Sequence, residues 1–125
     1  MLQGRRPLPT IPASDLARAR DWYADKLGLT AYQDAPEALL YQTDGDRLFL
    51  LFSSSGAGTA QHQLAAWVVE DLEAEVAELR GRGVVFEEYD SPGLHTVNGI
   101  ATTPAGKAAW FKDSEGNVLT ITQLA

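Results

Sequence analysis

Cysteine is absent from the 125 residues, which excludes disulfides, thiolate metal sites and a cysteine nucleophile. Histidine is scarce: His62 and His95 are the only two. No stretch approaches the ~18 consecutive apolar residues of a membrane span. The opening MLQGRRPLPT carries arginines but lacks the apolar centre of a secretion signal, so a cytoplasmic protein is expected. Positive charge is also in short supply. Ten Lys and Arg stand against seventeen Asp and Glu, for a net charge of -7. That balance argues against nucleic acid and anionic membranes as partners and favours a cationic ligand. Ser53-Ser54-Ser55 has no nucleophile-elbow context, and no Walker or dinucleotide glycine pattern occurs. What is present is ordinary for one globular domain over residues 1–125: 45% hydrophobic and 22% charged residues.

The chain repeats itself. Ser14-Asp15-Leu16 opens a helical stretch that closes at Gly28, and Glu70-Asp71-Leu72 opens another that closes at Gly83. Leu16, Ala19, Tyr23 and Leu27 recur at helical spacing in the first, as do Leu72, Val76 and Leu79 in the second. Each starts at a capping residue and ends at a glycine. A β-prone run precedes each helix, Leu8–Ala13 and Leu64–Val69. Three more follow each: Thr30–Tyr32, Ala38–Thr43 and Arg47–Phe52, with a turn at Asp44-Gly45-Asp46, then Val84–Tyr89, Ile100–Thr103 with Ala108–Lys112, and Asn117–Leu124. The pattern predicts an α+β fold of two βαβββ modules, at about 7–53 and 63–125, joined by a Ser/Gly-rich linker at 53–62. Neither module can bury both faces of its sheet. Together they are expected to form a curved, partly closed mixed sheet around a pocket, with the helices outside. The loop Asp90–Gly99 is long enough to be functional.

This doubled plan, with its start SDLARARDWYADKLGL and its finish FKDSEGNVLTI, resembles the vicinal oxygen chelate superfamily of glyoxalases, bleomycin resistance proteins and dioxygenases. The resemblance covers about Leu8 to Gln123. It implies a divalent metal held by His and Glu on inner strands of both modules. Yet the matching positions here are Leu8, Leu64 and Thr120, and no Asp or Glu occurs from Arg47 to Val69 or from Gly116 to Ala125. A divalent ion needs about three or four N or O ligands. No metal and no cofactor is therefore expected.

Strand alternation brings Thr10 beside Leu8 and Ala66 beside Leu64. The resemblance also points to Trp110, which matches a ligand-touching aromatic, and Tyr41 and Phe49 lie on the first module's corresponding hairpin. The expected ligand site is thus Leu8, Thr10, Tyr41, Phe49, His62, Leu64, Ala66, His95, Trp110 and Thr120. Trp67 has the opposite parity and is expected under a helix, with Trp22 packed as well. The leading reading is a metal-free homodimer that sequesters a hydrophobic or aromatic small molecule, a cationic one included. The alternative is an enzyme: a metal-dependent lyase or dioxygenase using His62 and His95, or a metal-free isomerase or lyase using the loop acids. His95 and Asp90, with Glu87 and Glu88, are the acid–base candidates.

Overall fold

The computed structural model describes residues 1–43, 45 and 48–125. Strand β1 (Thr10–Ala13) leads into helix α1 (Leu16–Leu27). Asp15 caps the helix by accepting a hydrogen bond from the Arg18 amide, and Gly28 ends it with φ 70°. Strands β2 (Gln33–Ala35), β3 (Ala38–Gln42) and β4 (Leu48–Ser53) complete the first module. Strand β4 lies parallel to β1, and the sheet order is β1-β4-β3-β2. The second module repeats the plan. Strand β5 (Gln63–Val68) precedes helix α2 (Leu72–Gly81), which is capped by Asp71 accepting from the Ala74 amide. A small hairpin, β6 (Asp90–Ser91) with β7 (Leu94–His95), comes next, then β8 (Ile100–Thr103), β9 (Gly106–Lys112) and β10 (Val118–Leu124). The second sheet has the matching order β5-β10-β9-β8. The α+β plan of two βαβββ modules read from the repeat is the observed architecture, but among the described residues the two sheets stay separate and do not close around one shared pocket.

Two strands differ from expectation. The Pro36-Glu37 turn, with Glu37 at φ 61°, sets Ala35 opposite Ala38, so β2 falls just before that turn and not at Thr30–Tyr32. The run Val84–Tyr89 forms no strand: Phe86 makes a single bridge to Phe111. The free edge of β9 is divided, because β8 already pairs with its first half, Gly106 to Ala109. The Asp44-Gly45-Asp46 turn, apart from Gly45, and the Arg47 start of the fourth strand lie outside the described residues.

Each sheet buries one face. Ile11, Ala13, Leu39, Tyr41, Phe49 and Leu51 of the first join Ala19 and Tyr23 of α1, while Ala109, Phe111, Leu119 and Ile121 of the second join Leu72, Val76 and Leu79 of α2. Full burial of a side chain such as Phe111 contributes about 2–3 kcal/mol. These two sets form one core. Trp22 of α1 stacks on Phe111 with centroids 6.3 Å apart, and Phe49 meets Trp67 edge-on at 6.0 Å. The sheets thus meet through their helix-side faces, and their opposite faces point away from the shared core.

Candidate functional site

The open face of the second sheet is set by strand alternation: Ala109 and Phe111 face the core, so Ala108, Trp110 and Lys112 face outward. Leu119 and Ile121 likewise leave Val118, Thr120 and Thr122 on the open side. Strand β5 departs from strict alternation. Val118 pairs with Gln63 but Leu119 pairs with Ala65, so Leu64 is the extra residue of a β-bulge. The bulge brings Gln63 onto the open face, where its Oε1 accepts hydrogen bonds from Trp110 Nε1 at 2.8 Å and Thr120 Oγ1 at 3.0 Å. Tyr89 meets the Trp110 indole edge-to-face at 5.5 Å. The indole is therefore fixed on two sides while part of it stays accessible. Trp110 walls a cavity of about 170 Å³ with Leu94, Ala101, Ala108, Thr122 and Leu124, all from the second module. Tyr89 borders a neighbouring depression of about 400 Å³ with Lys112, Val118 and linker residues. Burial, then the nearby Glu87 charge, raise the Tyr89 hydroxyl above its ordinary pKa, which keeps it a neutral donor.

The other candidates fall in three places. Ala66 pairs with Thr120 on this open face, and the bulge residue Leu64 lies beside it. Leu8 and Thr10 lie on the first module, where Leu8 borders a separate depression of about 400 Å³ with Gly4, Arg6, Pro7 and Leu48. Tyr41 and Phe49 require correction as ligand contacts. They stack at 4.7 Å inside the core, where both are buried, because β3 pairs with β4 in the register that turns Leu40 and Leu50 outward instead. His62 is exposed, its Nδ1 3.0 Å from the Gln63 carbonyl oxygen. His95, also exposed, lies 3.2 Å from Asp90. It borders a depression shared with Glu73 at the start of α2, not the Trp110 cavity. Trp67 packs against the core, as its parity predicts.

The donor set does not fit the divalent metal of the family pattern. Leu8 and Leu64 have no ligand atom, and Thr120 is 2% exposed with its hydroxyl donating to Gln63. Among the described residues no three of His, Asp and Glu come together as a potential metal cluster.

A further polar cluster joins the two modules. The turn between β9 and β10 reaches into the first module through three buried polar side chains, Asp113, Glu115 and Asn117. Glu115 Oε1 accepts from Ser14 Oγ at 3.0 Å, the Asp15 amide at 2.9 Å and Arg18 Nη2 at 3.0 Å. Its Oε2 accepts from Arg18 Nε at 2.9 Å and Ser114 Oγ at 2.7 Å. Asp113 accepts from the Tyr23 hydroxyl at 2.7 Å and from the amides of Glu115 and Asn117. Asn117 donates to the Pro12 carbonyl at 2.7 Å and accepts from the Gly58 amide at 3.1 Å, which ties the linker down. The Arg18 bond, before any other cause, holds Glu115 down to a pKa of about 2. Every acceptor is used, so this clasp fixes α1 and β1 against the sheet that carries Trp110. Its sequence signal was three acceptor side chains crowded into a five-residue turn, Asp113 to Asn117.

Comparisons with known proteins agree with this geometry. The model of the Glyoxalase/Bleomycin resistance protein/Dioxygenase superfamily matches residues 7–121. No curated protein matches by sequence. Among solved structures the chain is similar to TnmS3, an antibiotic binding protein from Streptomyces sp. CB03234, with 25% identity and a TM-score of 0.72 over 96% of this chain and 97% of that one. It is also similar in fold to UcmS2, at 21% identity and a TM-score of 0.73 over 94% and 98% of the chains. A bleomycin-binding protein complexed with bleomycin gives 19% identity and a TM-score of 0.71 over 96% and 98%.

Proposed function

We propose, given that this chain belongs to the Glyoxalase/Bleomycin resistance protein/Dioxygenase superfamily, that it is a metal-free protein which binds and sequesters a flat hydrophobic small molecule on the open face around Trp110. The observation that carries this reading is the indole itself, held by Gln63 and Tyr89 and still partly accessible above an apolar cavity. Stacking on such a surface contributes about 0.5–1.5 kcal/mol beyond burial. The net charge of -7 favours a cationic ligand over an anionic one. The antibiotic-binding relatives make antibiotics the first compounds to try.

The site is completed by a second copy of the chain in this reading. Both open faces carry apolar side chains among their polar ones: Leu8, Leu40, Leu48, Leu50 and Phe52 on one module, Ala66, Val68, Ala108 and Leu124 on the other. Val68 and Leu124 are 64% and 66% exposed in the single chain, an arrangement that favours association. A homodimer that sets the Leu8 face of one chain over the Trp110 face of its partner covers both and encloses the ligand.

Thermal unfolding against a panel of antibiotics tests the reading. A ligand present at 100 times its Kd stabilises by about 2.7 kcal/mol. Trp110→Ala removes that stabilisation while leaving the ligand-free protein folded. A panel that shifts no melting temperature overturns it. The enzyme alternative has one observation in its favour, the His95–Asp90 contact of 3.2 Å. That pair is exposed and opens beside Glu73, away from Trp110, so acid–base chemistry ranks second. Turnover lost in a folded His95→Ala variant would reverse the order.

A further inference from the structure

Gln63 stands out because the backbone departs from regularity to place it. Without the extra residue Leu64, alternation would align Gln63 with Ala65 and Trp67 on the core side. With it, Gln63 sits at the Nε1 edge of Trp110. Bulges commonly re-aim one side chain beside a binding site. The hydrogen bonds then fix which way the amide faces. An indole N–H can only donate, so the group 2.8 Å from it must be the Gln63 oxygen. The Thr120 hydroxyl uses the same oxygen at 3.0 Å. The Gln63 amide nitrogen takes part in neither bond, its N–H anti to the oxygen points away from Trp110 and Thr120, and Gln63 is solvent-exposed.

We propose that Gln63 is a specificity-determining residue, whose outward amide N–H donates to a carbonyl-type oxygen in the plane of an aromatic ligand stacked on Trp110. This rests on the aromatic-site reading above and narrows it: the ligand is a flat ring system bearing a hydrogen-bond acceptor oxygen at its edge. A donor held in place by its own oxygen needs no reorganisation when the ligand arrives, which is the condition under which one hydrogen bond discriminates well. A ligand without that oxygen leaves the amide beneath it stripped of water and unpaired.

The test uses 9-fluorenone and fluorene, flat tricycles that differ by one carbonyl oxygen, and the variant Gln63→Glu. Glutamate keeps an acceptor for Trp110 and Thr120 but replaces the outward donor with an anionic oxygen. In wild type, fluorenone should bind about tenfold more tightly than fluorene, the size of effect one such bond supplies. The Gln63 side-chain amide signals, identified by their loss in the variant, should move with fluorenone and not with fluorene. In Gln63→Glu the preference should vanish or invert while the melting temperature of the free protein holds. Equal binding of the two probes in wild type, or a preference unchanged in Gln63→Glu, overturns the Gln63 role and leaves the aromatic site standing. Binding of neither probe, with no change at Trp110, overturns both.

Discussion

Replacing Glu115 by Gln should weaken the fold measurably at neutral pH and progressively less as the pH falls towards 2. Glu115 is 7% exposed and takes five hydrogen bonds from Ser14, Asp15, Arg18 and Ser114. Its pKa falls from 4.5 to about 2, chiefly through the Arg18 bond. In the folded protein the carboxyl thus binds its proton less readily than in the unfolded chain. Its stabilisation is complete above pH 4.5 and is lost as pH falls towards 2. A displacement of that size corresponds to roughly 3 kcal/mol. Arg18 is half exposed, and solvent screening brings the expectation to about 2 kcal/mol. For a chain of this length that is roughly 6–10 °C in Tm. Urea unfolding of wild type and Glu115→Gln at pH 7 and pH 3 reads both quantities. The gap should be about 2 kcal/mol at pH 7 and shrink to less than roughly half at pH 3. A gap below about 0.5 kcal/mol at pH 7, or one independent of pH, refutes the claim that this carboxylate clasps the two modules.

Two further substitutions probe neighbouring features. Gly58 has φ 76°, and an added Cβ would lie 2.7 Å from the Glu115 carbonyl oxygen, so Gly58→Ala should cost about 2 kcal/mol, measured by denaturant unfolding. The Tyr41 hydroxyl is buried with no hydrogen-bond partner among the described residues, and burial pushes its pKa up to about 12. Tyr41→Phe should therefore be neutral or stabilising by up to about 1 kcal/mol; a loss above that value would reveal a partner for the hydroxyl.

The helices were legible because their signals are local: Asp15 and Asp71 cap, Gly28 ends a turn, and the apolar spacing marks the buried stripe. The open face was legible where alternation holds, which is why Trp110, Thr120 and Ala66 fall together. It failed where register decides. Tyr41 and Phe49 are aromatic in any register, and only the pairing of β3 with β4 shows that they face the core. Gln63 was invisible because a one-residue bulge leaves no trace in a pattern read by twos. The partners of the clasp were not legible for another reason: Glu115 meets Ser14 and Arg18 across about a hundred residues of chain, and no local period encodes such a contact.

Trp110 is the surface on which the proposed ligand rests, and the indole N–H signals of a uniformly ¹⁵N-labelled sample report on it most directly. Titration with a stabilising aromatic ligand from the panel should shift the Trp110 signal, assigned from its loss in Trp110→Phe, and leave those of the packed Trp22 and Trp67 nearly still. A ligand that stabilises the protein yet moves Trp22 or Trp67 while Trp110 stays unchanged would place the site elsewhere and contradict binding on Trp110.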